Sequence, residues 1–178
     1  MCEIKYEIIS YLHRLKIYVI NHKDQYPSYL LDKDIMDINI HFDDHVDSYL
    51  LLNGITGLCL KGSLSSEWKG TKKNDILISL SAIYVTADDA KKTNTAVMKS
   101  IITHEFMHSI SVGFSVKDDS KESYYKDEAY TDFLAKRLFN EVCTSEFYFT
   151  PYPSLHIDEY NKVRITDGGI QCYFKGGN

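Results

Sequence analysis

The residues best suited to chemistry lie in one short segment, His104-Glu105-Phe106-Met107-His108, which has the form His-Glu-x-x-His. Residues four apart on an α-helix lie one above the other on the same face. Two imidazoles placed in this way can bind one Zn²⁺ ion at about 2.0–2.1 Å. Glu105 is rotated by about 100° from His104, so it can lie beside the metal and its water without binding the metal. The pattern predicts a zinc site on a helix.

A third ligand is expected further along the chain, because a catalytic zinc site has three protein ligands and one open position. Glu128 and Asp132 are four residues apart and share one face of a second predicted helix. Glu128 can supply the third ligand. Asp132, one turn later, can accept a hydrogen bond from the second ring nitrogen of a ligating histidine. Glu122 and Glu141 are weaker candidates, because neither has an aspartate four residues later.

Hydrophobic periodicity places these side chains on two long helices. The first is predicted over residues 93–111 and the second over residues 125–142, with a polar loop at 115–123 between them. The first helix has three candidate N-caps, namely Thr93, Asn94 and Thr95. The apolar positions expected to be buried are Val97, Ile101, Ile102, Phe106 and Ile110 on the first helix, and Phe133, Leu134, Leu138 and Phe139 on the second.

The rest of the chain predicts a small sheet and further helical structure. A helix is expected over residues 6–21, with Ile8, Leu12, Leu15 and Val19 buried. Strands are predicted at 35–42, 54–60 and 76–86, of which the last has the strongest strand pattern. Residues 44–52 fit no single element and 61–74 predict a loop. A C-terminal hairpin is expected from 163–166 and 170–174, on either side of Asp167-Gly168-Gly169.

His-Glu-x-x-His followed twenty residues later by Glu-x-x-x-Asp resembles the gluzincin metallopeptidases, the thermolysin-like clan. In that family the two histidines and the later glutamate bind zinc. The glutamate within the motif is the general base, and the aspartate supports the first histidine. The resemblance therefore implies His104, His108 and Glu128 as ligands of one Zn²⁺ per chain, Glu105 as the base and Asp132 as the partner of His104.

The resemblance covers residues 76–142 in the order strand, active-site helix, loop and glutamate helix. With 36 residues after position 142, the chain is closer in size to minimal gluzincins, and it resembles more loosely the small zinc peptidases of the ImmA/IrrE type. The implied fold is an α+β, zincin-like domain over residues 1–178. Residues 1–112 would form an upper lobe with a small twisted mixed sheet, and residues 113–178 a lower lobe. The strand at 76–86 would form the edge of the cleft between them.

The activity implied by the resemblance is that of a zinc metalloendopeptidase, a hydrolase that acts on a protein or peptide substrate. Glu105 would take a proton from a zinc-activated water and pass it to the leaving amine. A second donor usually stabilises the developing oxyanion. His156 is the candidate for this catalytic role that follows the glutamate helix, as the histidine of the family does. The other candidates are Tyr124, Tyr125, Tyr148, Tyr152 and Tyr160.

Two alternatives to an active peptidase remain open from the sequence. A peptidase-like domain with weak catalysis would serve as a regulatory or binding module, although every catalytic position is occupied. In a latent enzyme, the tyrosine-rich tail or a thiolate of Cys2, Cys143 or Cys172 would cover the zinc. His41 and His45 would suggest a second metal site only if their segment were helical, which the strand pattern disfavours.

Composition limits the class of protein and its partners. The formal net charge is −5 and the basic residues are scattered, so no nucleic-acid partner is expected. No run of about 18 apolar residues predicts a membrane helix, and residues 1–22 form an amphipathic pattern unlike a signal peptide. A cytoplasmic protein is therefore expected, and export as an effector is compatible with the same sequence. The four cysteines form no Cys-x-x-Cys pair and predict reduced, mostly buried thiols.

Overall fold

The computed structural model describes residues 2–26, 35–61, 68–111, 121–149, 164–166 and 169–171. Within these residues the predicted α+β class is confirmed, with five α-helices, a three-stranded mixed sheet and a β-hairpin. The helices are α1 (Cys2–Asn21), α2 (Asp44–Leu52), α3 (Leu80–Asp89), α4 (Asn94–Ile110) and α5 (Lys121–Val142). The strands are β1 (Ile40–His41), β2 (Gly57–Cys59), β3 (Ile76–Ile78), β4 (Arg164–Thr166) and β5 (Gly169–Gln171).

The three-stranded sheet has the order β1-β3-β2, so β3 is its central strand. β1 runs parallel to β3, and β2 runs antiparallel to it with Leu58 opposite Leu77. All three residues of β3 are completely buried, as expected for a central strand. The prediction that the strand at 76–86 forms the edge of the cleft is therefore wrong, because β3 has a neighbouring strand on each side. The antiparallel edge strand is β2.

The strand predicted over 76–86 ends after three residues, and the rest of that segment forms α3. Ser79 has extended backbone angles and caps the helix, because its hydroxyl accepts a hydrogen bond from the amide of Ala82 at 3.0 Å. Asp47 of α2 in turn accepts hydrogen bonds from Ser79 Oγ at 2.9 Å and from Ser81 N at 2.9 Å. These contacts between elements outweigh the strand preference of the β-branched and aromatic residues in 76–86. The strand prediction for its second half is wrong.

The strand predicted over 35–42 is also shorter than expected. Residues Ile35–Asp37 form a 3₁₀-helix, and only Ile40–His41 pairs with β3. The buried ammonium group of Lys16 on α1 accounts for this, because it donates to the carbonyls of Met36 at 3.0 Å and Ile38 at 2.5 Å. Those carbonyls are directed to α1 and not to a neighbouring strand. The ambiguous segment after it is helix α2, capped by the side chain of Asp43.

Helix α4 lies at the centre of the core, where almost every one of its residues is buried. It contacts α1, α3 and α5 as well as β2 and β3. The buried positions predicted for the two helices at 6–21 and 93–111 are confirmed. On α5, Phe133 is an exception, since 36% of its surface is exposed.

The remaining predictions concern segments of which the structure describes only a part. The hairpin is confirmed in β4 and β5, where Ile165 lies opposite Ile170, and its turn lies outside the described residues. Residues 121–123, predicted as loop, belong to α5. Cys59 and Cys143 are buried thiols outside any disulfide among the described residues, whereas Cys172 and the side chain of Cys2 lie outside the described part. Among the described helices, none has a stretch apolar and long enough to cross a membrane.

We expect Asp47→Ala to lower the free energy of unfolding by about 1.5–3 kcal/mol at neutral pH, the range for hydrogen bonds to a charged group. Burial alone would raise the pKa of Asp47, but hydrogen bonds from Ser81 and Ser79 outweigh it and lower this pKa below 3.8. A lowered carboxyl pKa means that the stabilisation is complete above pH 3.8 and disappears as the pH falls through the folded-state value.

Urea denaturation between pH 2 and pH 7 measures this difference, with Asp89→Ala, an exposed aspartate at the end of α3, as the control. Equal stability losses in both variants at neutral pH would contradict a specific role for Asp47.

Candidate metal centre

Helix α4 is held in place at both ends by side-chain hydrogen bonds. At its start, the Thr93 hydroxyl accepts from the amide of Ala96 at 3.1 Å, which selects Thr93 from the three predicted caps. At its end, Lys61 Nζ donates to the carbonyls of His108 and Ser111, the latter at 2.8 Å. A cation at this end is favoured because unpaired carbonyls leave it partly negative. The histidines of α4 therefore lie on a fixed scaffold.

Three side chains of α4 and α5 converge at one point. His104 Nε2 lies 3.1 Å from His108 Nε2 and 3.1 Å from Glu128 Oε2, and the last two atoms are 3.4 Å apart. We call these three residues the metal group. Ligands of a tetrahedral ion at about 2.0–2.1 Å lie about 3.3 Å from one another, so the three atoms are spaced as ligands of one ion. Within the described residues, His104, His108 and Glu128 can hold a metal ion.

Each histidine of the metal group has a carboxylate near its other ring nitrogen. Asp132 Oδ1 lies 3.6 Å from His104 Nδ1, on the side predicted for it. Asp127 Oδ2 lies 3.7 Å from His108 Nδ1, and Thr131 Oγ1 is 3.4 Å from the same nitrogen. Carboxylates in this position fix the tautomer of a ligating histidine and make it a better ligand.

Sequence reasoning did not identify Asp127 or Thr131 as partners of His108. The available signal was their spacing, since they are four residues apart and precede the Glu128 and Asp132 pair by one position. The two pairs therefore lie side by side on α5.

The metal group and its partners form a network of opposite charges. Burial alone would lower the pKa of His104, but the neighbouring carboxylates of Asp132, Glu128 and Glu105 raise it to about 10. Burial alone would raise the pKa of Glu128, but hydrogen bonds from His104 and His108 lower it to about 2. Without a metal, a proton on His104 balances the carboxylates at neutral pH. A metal ion must displace that proton in order to bind, so metal binding is coupled to proton release.

Glu105 is buried beside the metal group, where α4 packs against β2. Burial raises the pKa of Glu105, against the charges of the two histidines and a hydrogen bond from the backbone of Cys59. A Cβ atom on Gly57 would lie 2.9 Å from Glu105 Cγ and 2.7 Å from Ile101 Cγ2. Only glycine allows this approach. Sequence reasoning did not identify Gly57, although a glycine inside a predicted strand often marks such a close contact.

The metal group opens into a cleft of about 590 Å³. Its walls are the turn and edge strand from Gly54 to Cys59, Thr86 of α3, and Phe149 after α5. The carbonyl of Thr56 and the amide of Leu60 each form a backbone hydrogen bond of 2.9 Å on the side of β2 that faces β3. Because hydrogen-bonding direction alternates along a strand, the backbone groups of Gly57 and Cys59 point away from β3.

Of the predicted oxyanion-stabilising residues, only Tyr148 has a side chain that the structure describes. His156 lies outside the described residues, as do Tyr152 and Tyr160, and the side chains of Tyr124 and Tyr125 are not described either. Tyr148 donates its hydroxyl hydrogen to Asp132 Oδ1 at 2.6 Å. Tyr148 is therefore a partner of the Asp132 carboxylate, and it does not line the cleft.

The alternative metal and thiolate sites are not formed by the residues that the structure describes. His41 Nε2 contacts Asp75 Oδ2 at 2.8 Å, and the ring of His45 lies 5.2 Å from that of Trp68. Cys143 Sγ lies 3.7 Å from Glu146 Oε1, and it is not part of the metal group.

Comparison of the chain with models of protein families, with curated proteins and with solved structures gives no match. Function is therefore inferred from the residues of this chain and their arrangement.

We expect the purified protein to contain about one zinc ion per chain and Glu128→Ala to lose it, because two histidines alone hold zinc weakly. Glu141→Ala is the matched control, as it removes an exposed carboxylate from the same helix. Elemental analysis after dialysis measures the metal content. A parent protein that takes up no zinc, even when zinc is added back, would contradict the metal centre.

Proposed function

We propose that the chain is a zinc metallopeptidase of the gluzincin type, which hydrolyses peptide bonds. The observation that carries the proposal is the joint position of the metal group and Glu105 at a cleft that is bordered by the edge strand β2. Metal ligands, a neighbouring carboxylate and an extended backbone are the parts that peptide hydrolysis requires.

The donor set supports zinc as the ion. Two imidazole nitrogens and one carboxylate oxygen are the ligands of His₂Glu catalytic zinc sites, whereas magnesium and calcium prefer sites built from oxygen atoms. Zinc held by His104, His108 and Glu128 would supply Lewis acidity, which makes a water more acidic and polarises a carbonyl group. Asp132 and Asp127 would orient the two imidazoles.

Glu105 is the proton carrier in this proposal. Its carboxylate would accept a proton from the attacking water and deliver it to the nitrogen of the leaving amine, so the residue ends the reaction as it began. Its burial raises its pKa and brings it closer to neutral pH, where transfer in both directions is favourable. The backbone amide of Cys59 holds the carboxylate in place.

Strand β2 is the proposed docking edge for the substrate backbone. Gly57 and Cys59 direct their backbone groups away from β3, and both line the cleft. Because the Cys59 amide bonds Glu105, backbone pairing with the substrate is proposed at Gly57. An extended peptide can add to such an edge as a further strand. Backbone pairing of this kind would hold the scissile bond beside Glu105 and His108, which line the same cleft.

We expect Glu105→Gln to reduce peptide cleavage by about 10²–10⁴-fold, because the amide cannot carry the proton. Its zinc content should equal that of the parent, since Glu105 is not part of the metal group. A peptide-library cleavage assay with elemental analysis of the same samples measures both. Cleavage that persists in the variant would contradict the role of Glu105, and a zinc-loaded parent that cleaves nothing would favour a regulatory or binding module.

We expect Gly57→Ala to reduce cleavage by about 10- to 100-fold without loss of zinc, because its new Cβ atom displaces Glu105 or the edge strand. Thr56→Ala serves as the control, since it adds no atoms beside Glu105. Turnover rates of the zinc-loaded variants measure the effect. Full activity in Gly57→Ala would show that the close contact between β2 and α4 is not needed for catalysis.

A further inference from the structure

We propose that Tyr148 is a positioning residue of the metal centre, which acts on His104 through Asp132. Its hydroxyl donates to Asp132 Oδ1 at 2.6 Å, and the same oxygen lies 3.6 Å from His104 Nδ1. Tyr148, Asp132 and His104 thus form a chain of contacts that ends at a metal ligand. This inference rests on the metal centre of the proposed function and extends it to the residues that follow α5.

The hydroxyl of Tyr148 controls the orientation of a buried carboxylate. Asp132 is only 7% exposed, so little water is available to satisfy its oxygens. A short hydrogen bond from a neutral donor fixes the carboxylate without neutralising it. The charge of Asp132 then remains available to His104, where it favours the tautomer that is protonated on Nδ1 and can bind a metal through Nε2.

Tyr148 belongs to a stretch that is attached to α4 at several points. We call residues 143–149 the docked segment. Glu146 accepts from Lys99 Nζ at 2.6 Å, and the amide of Phe149 donates to Ser100 Oγ at 2.8 Å. The ring of Tyr148 packs edge-on against Phe139, with 5.5 Å between centroids. These contacts hold the hydroxyl of Tyr148 in a defined position.

The attachment points lie on the same part of α4 as the metal group. Ser100 precedes His104 by four residues, so it lies one turn earlier on the same face. At the end of the docked segment, Phe149 lines the cleft. The docked segment therefore connects a cleft wall to the metal group through Tyr148.

Coupling between the docked segment and the metal must act in both directions. If docking of Tyr148 strengthens metal binding, then metal binding must stabilise the docked segment by the same factor. The amide of Phe149 reports on docking, because its hydrogen bond to Ser100 forms only when the segment lies on α4. Slower hydrogen exchange of this amide in the presence of zinc is the expected sign.

The test compares Tyr148→Phe with Tyr11→Phe. Each variant loses one tyrosine hydroxyl that contacts a residue close to the metal group, but Tyr11 bonds Thr103 Oγ1 at 2.8 Å and not a partner of a ligand. Competition with a chromophoric chelator measures the dissociation constant for Zn²⁺ in the full chain. Thermal unfolding of the metal-free proteins measures the loss of stability in each.

We expect Tyr148→Phe to bind Zn²⁺ about tenfold more weakly, the low end of the range for residues that support ligating histidines. Tyr11→Phe should remain within about twofold of the parent, and zinc should slow exchange of the Phe149 amide less in Tyr148→Phe than in the parent. Equal or tighter zinc binding by Tyr148→Phe, in a parent that binds zinc, would overturn this proposal and leave the metal centre intact. A parent that binds no zinc would overturn both.

Discussion

Helix α4 is buried along almost its whole length, and burial restricts how its polar side chains can be accommodated. A buried charge costs several kcal/mol unless it is paired, and a buried hydroxyl also needs a partner. The buried polar side chains of α4 accordingly find partners on α1, β2, α5 and the docked segment. These contacts determine which part of each element faces α4, so the central helix organises the structure around it. Thr103 contacts Tyr11, and both Ser109 and Glu105 contact Cys59. His104 contacts Glu128 and Asp132. Lys99 contacts Glu146, and Ser100 contacts the amide of Phe149.

The same constraint explains why the metal group is preorganised. His104 and Glu128 are buried together, and their opposite charges offset the cost of removing each from water. The pair is stable with a proton on His104, and its nitrogen and oxygen atoms already have the spacing that a tetrahedral ion requires. Replacement of the proton by a metal ion therefore requires little movement. Little of the binding free energy is then lost to rearranging the protein.

The parts of the structure that could be predicted from the sequence depend on local spacing. His104 and His108 share a helix face because they are four residues apart, and the same holds for Glu128 and Asp132, so each pair could be placed without knowing the fold. The boundary between β3 and α3 could not be predicted, because Ser79 caps α3 with the help of Asp47, which lies 32 residues earlier. The order of the strands and the contact of Tyr148 with Asp132 likewise depend on packing between distant segments. Gly57 is a glycine inside a predicted strand, which indicates a close contact, but the sequence does not tell which residue it contacts.

The candidate site is formed by two separate interfaces of α4, one with α5 and one with β2. The interface with α5 brings together the ligands and the carboxylates behind them, whereas the interface with β2 holds Glu105 beside the edge strand. Glu105 follows His104 directly, and the rotation of about 100° per residue is what directs the two side chains to different neighbours. In the proposed mechanism, metal binding and proton transfer are therefore supported by different elements, although the residues responsible are adjacent in the chain. On this proposal, a change at β2 would alter the position of Glu105 without releasing the metal, and a change on α5 would release the metal without moving the edge strand. This separation follows from helix geometry, and it requires only that α4 be buried between the sheet and α5.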